Sequence, residues 1–207
     1  MLKKLNQALL FIFAPQFFAV VFSHLMTDLY VGQRSIYLAY LSGQLGFSNA
    51  TLGVITTLSV MLAGLSQPFF GWLSDRVGAR KMIVFSMLWI ASSFTLSILL
   101  PLPVAPALIV AANLGAGMYH PAGVSQATLI GRTRMAGKET TAASYFFLFG
   151  QLGFFFGPLL GGMLLRRWSD PGLLLLSALA VPSIIFAWRA LKNLPDAAEI
   201  SVVPIDG

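Results

Sequence analysis

Gly71-Trp72-Leu73-Ser74-Asp75-Arg76-Val77-Gly78-Ala79-Arg80-Lys81 places four charged residues between two long apolar runs. Charged side chains are costly in lipid and well solvated in water, so such a cluster predicts a short loop outside the bilayer. Loops on the cytoplasmic side of a membrane accumulate Lys and Arg. The 71–81 stretch therefore predicts a cytoplasmic hairpin between two membrane-spanning helices.

The composition excludes an ordinary soluble protein. Hydrophobic residues make up 57% of the chain and charged residues 10%, with a mean hydropathy of +0.81. In soluble domains about a quarter of all residues are charged. The net charge of +6 would favour nucleic acid as a partner in a soluble protein, but here the basic residues flank apolar runs and indicate topology instead. The chain has no cysteine, which excludes disulfides and thiolate metal sites.

The apolar runs predict an all-α membrane domain over residues 1–192, because a helix crosses the hydrocarbon in about 20 residues. The predicted spans lie near 14–42, 48–73, 82–100, 104–130, 140–165 and 171–190. Residues 193–207 carry three acidic residues and two prolines, and they predict a disordered cytoplasmic tail.

The basic residues predict the orientation. Arg166 and Arg167 fall on one side of the membrane, and ten basic residues fall on the other. The ten are Lys3, Lys4, Arg76, Arg80, Lys81, Arg132, Arg134, Lys138, Arg189 and Lys192. Both termini are then cytoplasmic by the positive-inside rule.

The spacing G-x-L-x-D-R-x-G-x-R-K of the 71–81 stretch resembles the loop between the second and third helices of major facilitator superfamily transporters. Ala79 stands where many members have another basic residue. An ordinary cytoplasmic turn would explain the Arg and Lys residues, but not the glycines and Asp75. The resemblance implies a bacterial inner-membrane transporter with a cytoplasmic gate, in which Asp75 meets the N-terminus of a facing helix and Arg76 pairs with it. The gate residues would be Gly71, Asp75, Arg76, Gly78, Arg80 and Lys81.

Superfamily members usually have twelve helices in two halves, with the substrate bound between the halves. This chain resembles the N-terminal half, whose cavity face would be left open to lipid. The resemblance implies that two copies pair in parallel and rebuild the twelve-helix shape. The alternatives are that the chain pairs with a different half, that it is a scaffold in a larger complex, or that it is a split piece of a full transporter.

The resemblance also implies that helix two meets helix five of the partner copy. Small residues let helices approach closely in lipid, although glycines also pack helices within one half. The candidate interface residues are Gly64, Pro68, Gly150, Gly153, Gly157, Pro158 and Gly161. The series G-x-x-x-G-P-x-x-G-G at 153–162 resembles a motif of proton-linked antiporters in this superfamily, which favours export.

Ionisable residues inside a span are functional candidates because they are costly there. His24 and Asp28 are four residues apart and share a helix face, where the carboxylate can hold the imidazole. We predict that Asp28 carries the coupling proton and that His24 tunes it. A static hydrogen bond between helices is the alternative.

Arg34 lies six residues after Asp28, roughly 240° around the helix, so it does not share the face of that carboxylate. It either binds an anionic group of the substrate or extends toward the outer interface, and the second is favoured. His120 precedes Pro121, which bends a helix and can open a polar pocket. Other polar residues predicted to reach the same substrate cavity are Tyr30, Gln33, Tyr37, Asn113, Tyr119, Gln126 and Gln151.

The series His24-x-x-x-Asp28-x-Tyr30-x-Gly32, together with Tyr119-His120-Pro121, resembles the fosmidomycin-resistance branch of the superfamily. Ala111 stands where many drug–proton antiporters have an arginine. The sequence contains no nucleophile–base pair, metal-ligand cluster or phosphate-binding loop. We therefore predict proton-coupled export of small amphipathic or anionic molecules, without catalysis, a metal or a cofactor.

Overall fold

The computed structural model describes residues 11–135 and 137–192, and these residues form six α-helices. In chain order the helices are α1 Pro15–Leu45, α2 Asn49–Val77, α3 Ala79–Leu99, α4 Ala105–Arg134, α5 Glu139–Trp168 and α6 Leu174–Ala190. Short 3₁₀ turns at Leu102–Val104 and Asp170–Leu173 precede α4 and α6. The predicted all-α architecture is confirmed. The predicted tail, Lys3 and Lys4 lie outside the described residues.

Five of the described helical segments are long and apolar enough to cross a membrane: Asn49–Val77, Ala79–Leu99, Leu102–Arg134, Glu139–Trp168 and Asp170–Ala190. Helix α1 has 31 residues but carries more polar side chains, among them His24, Asp28 and Arg34. All three are buried. The neighbouring helices therefore cover the polar groups of α1.

The ends of α1 and the start of α2 follow local sequence signals. Pro15 stands at the start of α1, where its missing N–H leaves no extra group unpaired. Gly46 ends α1 in the left-handed conformation, with φ 68°, and donates its N–H to the Ser42 carbonyl. Ser48 then caps α2, because its Oγ accepts from the Thr51 N–H at 3.1 Å.

The 71–81 stretch is more helical than the sequence predicts. Helix α2 continues to Val77 and α3 begins at Ala79, so Gly78 is the one non-helical residue within this fully described stretch. Its φ of 94° is a conformation that side-chain-bearing residues rarely adopt. The predicted hairpin is therefore a sharp break between two helices rather than a loop.

Helix α1 lies at the centre of the bundle and packs against α5, α4 and α6, with smaller contacts to α3. One layer of the core surrounds Phe17, Tyr119 and Phe146, and a second surrounds Tyr37 and Ile109. Burial of these large apolar side chains orients α1 within the bundle.

Glycines on α5 allow its close contact with α1. A Cβ atom at Gly153 would overlap the Leu25 carbonyl oxygen, and one at Gly157 would overlap that of Leu29. The glycines buried in this contact are Gly150, Gly153, Gly157 and Gly161. Pro158 is partly buried beside α1. These residues therefore pack α5 against α1 within one copy. The sequence left this alternative open beside a contact between copies. We therefore no longer assign these residues to the predicted interface between copies.

Helix α2 is the least covered helix. Of its 29 residues, all of which are described, only Ser59 and Ser74 are buried. One face packs on α4, where Gly117 approaches the Ala63 carbonyl at a distance that leaves no room for a Cβ. Gly64 and Pro68 are exposed on the rest of α2. The large apolar residues exposed there are Val54, Leu58, Val60, Met61, Leu65, Phe69, Trp72 and Val77.

Helix α5 has a comparable open face opposite its glycines. Gln151, Phe155 and Leu159 follow one another at intervals of four residues and are all exposed. Such spacing places side chains on one face of a helix. Helices α2 and α5 thus present uncovered apolar faces, and α3 and α6 also carry exposed apolar residues.

Candidate functional site

Three ionisable side chains meet between α1, α4 and α5. His24 Nε2 lies 3.2 Å from Asp28 Oδ2, and His120 Nε2 lies 3.3 Å from Asp28 Oδ1. His24 and Asp28 are buried, whereas the His120 side chain is 28% exposed. We call these three residues the His–Asp–His cluster. The expected contact between His24 and Asp28 is present, and Asp28 and His120 lie near the midpoints of α1 and α4.

Helix α5 makes room for the cluster at Gly150. A Cβ atom at this position would overlap the His24 ring and would lie 2.7 Å from Asp28 Oδ2. One turn earlier, Phe146 stacks on the His24 ring with a centroid separation of 3.8 Å. The absence of a side chain at Gly150 therefore allows α5 to enclose the buried side of the cluster.

The hydrogen bonds of His24 constrain the protons of the cluster. His24 Nδ1 lies 2.8 Å from the Phe146 carbonyl oxygen, which can only accept, so Nδ1 carries a hydrogen and donates it. Nε2 lies within ion-pair distance of Asp28 but makes no hydrogen bond to the described residues. A proton or another cation between the imidazole and the carboxylate would stabilise this contact.

The same three residues also have the donor set of a metal site. Each offers one ligand atom, and these atoms lie within 4.8 Å of one another. Two imidazoles and a carboxylate suit a first-row transition metal ion. The sequence analysis predicted no metal site, because the contact of His120 with α1 was not visible from spacing.

A second polar contact joins α1 and α4. Arg34 Nη1 donates to Asn113 Oδ1 at 2.5 Å, and Asn113 Nδ2 donates to the Ile109 carbonyl at 2.8 Å. Arg34 is only 7% exposed and lies 11 residues before the end of α1, about 16 Å along the axis. The favoured expectation that Arg34 extends toward the interface is therefore wrong, because its guanidinium lies inside the bundle.

The three tyrosines predicted for the substrate cavity instead bridge helices. Tyr30, Tyr37 and Tyr119 are almost completely buried, and each donates its hydroxyl hydrogen to a backbone carbonyl. The acceptors are Leu176 at 2.9 Å, Ser97 at 3.0 Å and Val20 at 2.6 Å, respectively. Their hydroxyls join α6, α3 and α4 to α1. Tyr30 also lines a small cavity between α1, α3 and α6.

The glutamines have different environments. Gln33 and Gln126 are buried, and their Oε1 atoms have no hydrogen-bond partner among the described residues. Gln33 packs beside Gly161 of α5, so it belongs to the contact between α1 and α5. Gln151 is exposed one residue after Gly150. Of the three, Gln151 remains a candidate for the substrate cavity.

The 71–81 stretch contacts α6 and α4 as well as its own helices. Arg80 donates to the Trp188 carbonyl from Nε at 3.0 Å and from Nη2 at 2.7 Å, and its guanidinium lies 3.6 Å from the Trp188 ring centroid. Arg76 stacks over Trp72 at 4.1 Å. Among the described residues Asp75 forms no ion pair, so the expected pairing of Asp75 with Arg76 is absent.

Gly71, at the start of the same stretch, faces Pro121 of α4, the residue that follows His120. A Cβ atom at Gly71 would lie 3.5 Å from Pro121 Cβ, which is ordinary contact. The stretch and the His–Asp–His cluster are thus attached to the same segment of α4.

Comparison with protein families matches residues 9–202 to the Major Facilitator Superfamily. The chain belongs to the major facilitator superfamily. It is an integral membrane protein of this superfamily, as the apolar helices and the sequence resemblance predict. The predicted superfamily is therefore confirmed.

A curated relative of this major facilitator chain is the fosmidomycin resistance protein of Escherichia coli (strain K12). The two are 26% identical over 205 residues, which cover 90% of this chain and 48% of the relative. The chain thus spans about half the length of the curated relative that it matches. The relative belongs to the branch that the sequence analysis named.

Two features of this major facilitator bundle were missed by the sequence analysis. One is Gly150, which was assigned to a contact between copies although it encloses Asp28. The other is the bond between Arg34 and Asn113. Spacing did not reveal it, because six residues place Arg34 roughly 240° around α1 from Asp28, whereas seven residues bring Asn113 almost onto the face of His120.

Proposed function

We propose that the chain is half of a secondary transporter and works as a parallel homodimer by alternating access. It exports small amphipathic or anionic organic molecules in exchange for protons across the bacterial inner membrane, with both termini cytoplasmic. The observation that carries the proposal is the buried His–Asp–His cluster, an ionisable group at the midpoint of the two helices that meet there. Such groups mark ion pathways in membrane proteins.

The contacts of the cluster support proton exchange. His24 is held by Phe146 and His120 contacts Asp28, so a proton shared by these side chains would stabilise the cluster. The third member, His120, has a partly exposed side chain whose Nδ1 is buried, and in the proposed mechanism it passes the proton to the open side when the bundle changes conformation. Proton release and return can then alternate with substrate binding.

A second bundle would cover the exposed faces of α2 and α5. The curated relative is about twice as long as the matched region, which agrees with a partner bundle of the same size. In the proposed dimer α2 of one copy meets α5 of the other, and symmetry repeats the contact. Gly64 and Pro68 of α2 would meet the α5 face at Phe155 and Leu159.

The 71–81 stretch is proposed as the cytoplasmic gate. Asp75 and Arg76 are exposed, so Asp75 is available for the N-terminus of a helix in the partner bundle. Such a contact would close the cytoplasmic side while the cavity opens outward.

The alternative is a non-transporting membrane component, or one half of a heteromeric or split transporter. The mass of the purified chain in detergent separates these readings from the homodimer. A single copy per particle, or activity that requires a different chain, contradicts the homodimer.

The test is transport in proteoliposomes with an imposed pH gradient. Fosmidomycin is the first probe, because the curated relative is named for resistance to it. We expect flux of the probe that depends on the gradient and that Asp28→Asn abolishes, while the mass of the particle is unchanged. Flux in Asp28→Asn equal to that of the wild type would remove the cluster from the mechanism.

A further inference from the structure

Arg34 is a buried cation without a counter-charge in this bundle. Its Nη1 bonds to a neutral amide, and its Nε is buried with no hydrogen-bond partner among the described residues. The acidic residues of the described ranges are Asp28, Asp75, Glu139 and Asp170. Within those ranges Asp28 pairs with histidines, Glu139 pairs with Arg132, and no carboxylate lies within ion-pair distance of Arg34.

This arrangement is energetically unfavourable unless an anion joins it. An arginine keeps its proton in proteins, so it cannot relieve the cost of burial by becoming neutral. A buried charge without a partner destabilises a fold by several kcal/mol. A side chain retained under these conditions, near the middle of a membrane-spanning bundle, indicates a functional role.

We propose that Arg34, oriented by Asn113, binds the anionic group of the exported molecule. This inference rests on the proposed transport function and narrows its substrate class to organic anions, such as carboxylates and phosphonates. Asn113 is fixed by its own bond to the Ile109 carbonyl, and it holds Nη1 of Arg34. The Nε atom of the guanidinium makes no hydrogen bond to the described residues. The planar edge to which Nε belongs has the geometry that binds the two oxygens of a carboxylate.

The anion site is separate from the His–Asp–His cluster. Arg34 lies six residues beyond Asp28, about 9 Å along α1, and Asn113 lies seven residues before His120, about 10 Å along α4. Seven residues make almost two full turns, so Asn113 and His120 lie on nearly the same face of α4. The two sites therefore follow one another along the line of contact between α1 and α4, which we call the seam. A substitution at one site therefore makes no direct contact with the residues of the other site, and the effects of variants at the two sites can be distinguished.

The experiment measures binding, not transport. The purified full-length chain is heated in detergent and unfolding is followed by tryptophan fluorescence, with benzoate, benzamide or benzylamine added. These probes have the same ring and carry a negative, a neutral and a positive group. We expect benzoate to raise the unfolding temperature in a saturable manner and the other two to have no effect. Methylphosphonate replaces benzoate in a second series that tests the phosphonate class.

Asn113→Asp is the decisive variant. It keeps the shape of the side chain and supplies Arg34 with an internal carboxylate, so the fold is retained while the anion site is filled. We expect it to need at least about tenfold more benzoate for half-maximal stabilisation, as loss of a charge-assisted hydrogen bond predicts. Arg34→Gln should have the same effect and Arg34→Lys a smaller one. Arg166→Gln removes an exposed arginine outside the seam and serves as the matched control.

Benzoate stabilisation of Asn113→Asp equal to that of the wild type would overturn the inference. Stabilisation by phosphatidylglycerol, with none by benzoate or methylphosphonate, would overturn it as well, because the site would then hold a lipid headgroup. The two proposals fail separately. Anion binding without flux contradicts transport alone, and wild-type fosmidomycin flux in Arg34→Gln contradicts the anion site alone.

Discussion

The Nδ1 atom of His24 lies 2.8 Å from the carbonyl oxygen of Phe146, which ties the buried histidine of α1 to the backbone of α5. This bond fixes the ring so that its other nitrogen faces Asp28. The orientation of the cluster therefore depends on how closely α5 approaches α1, and the first two predictions concern that approach.

Gly150→Ala should destabilise the bundle and disturb the cluster. The added methyl group would overlap the His24 ring, and overpacking of this kind typically costs about 1–3 kcal/mol. The expected result is a lower unfolding temperature together with reduced pH-driven flux. Gly53→Ala is the matched control, because Gly53 lies in α2 with nothing within 4 Å of an added Cβ. Equal unfolding temperatures for the two variants would contradict this account of Gly150.

Gly153→Ala should separate α1 from α5. The new Cβ atom would overlap the Leu25 carbonyl oxygen, a backbone atom that cannot rotate away. We expect a loss of folded protein on size-exclusion chromatography, whereas Gly162→Ala on the same helix should elute as the wild type. The reason is that a Cβ at Gly162 would have its nearest neighbour, Ile36 Cγ2, at 3.8 Å. Normal elution of Gly153→Ala would show that the helices can move apart without cost.

Cysteine cross-linking tests the face of α5 that meets a second copy. The chain has no cysteine, so introduced thiols report without background. A chain with Gly64→Cys and Phe155→Cys should form a cross-linked dimer in membranes, because both positions are exposed. A chain with Gly64→Cys and Gly157→Cys should give less dimer, since Gly157 is covered by α1. The reverse ranking of the two chains would refute the proposed orientation of α5.

Arg80→Ala should release the end of α6 from the 71–81 stretch. The variant loses two hydrogen bonds to the Trp188 carbonyl and a stacked guanidinium, a contact worth about 0.5–2 kcal/mol. We expect faster amide hydrogen exchange around Trp188 and an altered tryptophan emission. Arg80→Lys should recover little of this effect, because lysine lacks the planar fork. Lys81→Ala is the control, and exchange that is equal in all three variants would contradict the role of Arg80.

His120→Gln should leave the fold intact and lower the pH-driven flux. In the proposed mechanism His120 passes the proton between Asp28 and the open side of the bundle, so its loss removes that step while the bond from His24 to Phe146 remains. The measurement compares flux with an imposed pH gradient and flux driven by substrate concentration alone. Equal reduction of both kinds of flux would assign His120 to substrate binding rather than to proton transfer.

Contacts within one helix were predictable, and contacts between helices were less so. His24 and Asp28 are four residues apart, so the helix period alone places them together. The contacts of His120 with Asp28 and of Arg34 with Asn113 require the relative rotation of α1 and α4, which tertiary packing determines. An apolar run predicts that a helix exists without indicating which neighbour covers it.

The tyrosines illustrate the same limit. A hydroxyl in an apolar span must find a partner, and the sequence does not distinguish a carbonyl of the next helix from a water-filled cavity. Tyr30, Tyr37 and Tyr119 all found carbonyls. Likewise, small residues predicted a close helix contact at α5 correctly but not its partner, because α1 of the same chain satisfies the spacing as well as a second copy would.

The single-residue break at Gly78 leaves no slack between α2 and α3. Any displacement of Asp75 is transmitted directly to the whole of α2, a rod of 29 residues that is attached mainly along its α4 side. A small tilt at the Gly78 end then becomes a larger displacement at the far end of α2, about 43 Å away. A movement of the charged turn is therefore amplified at the opposite end of α2.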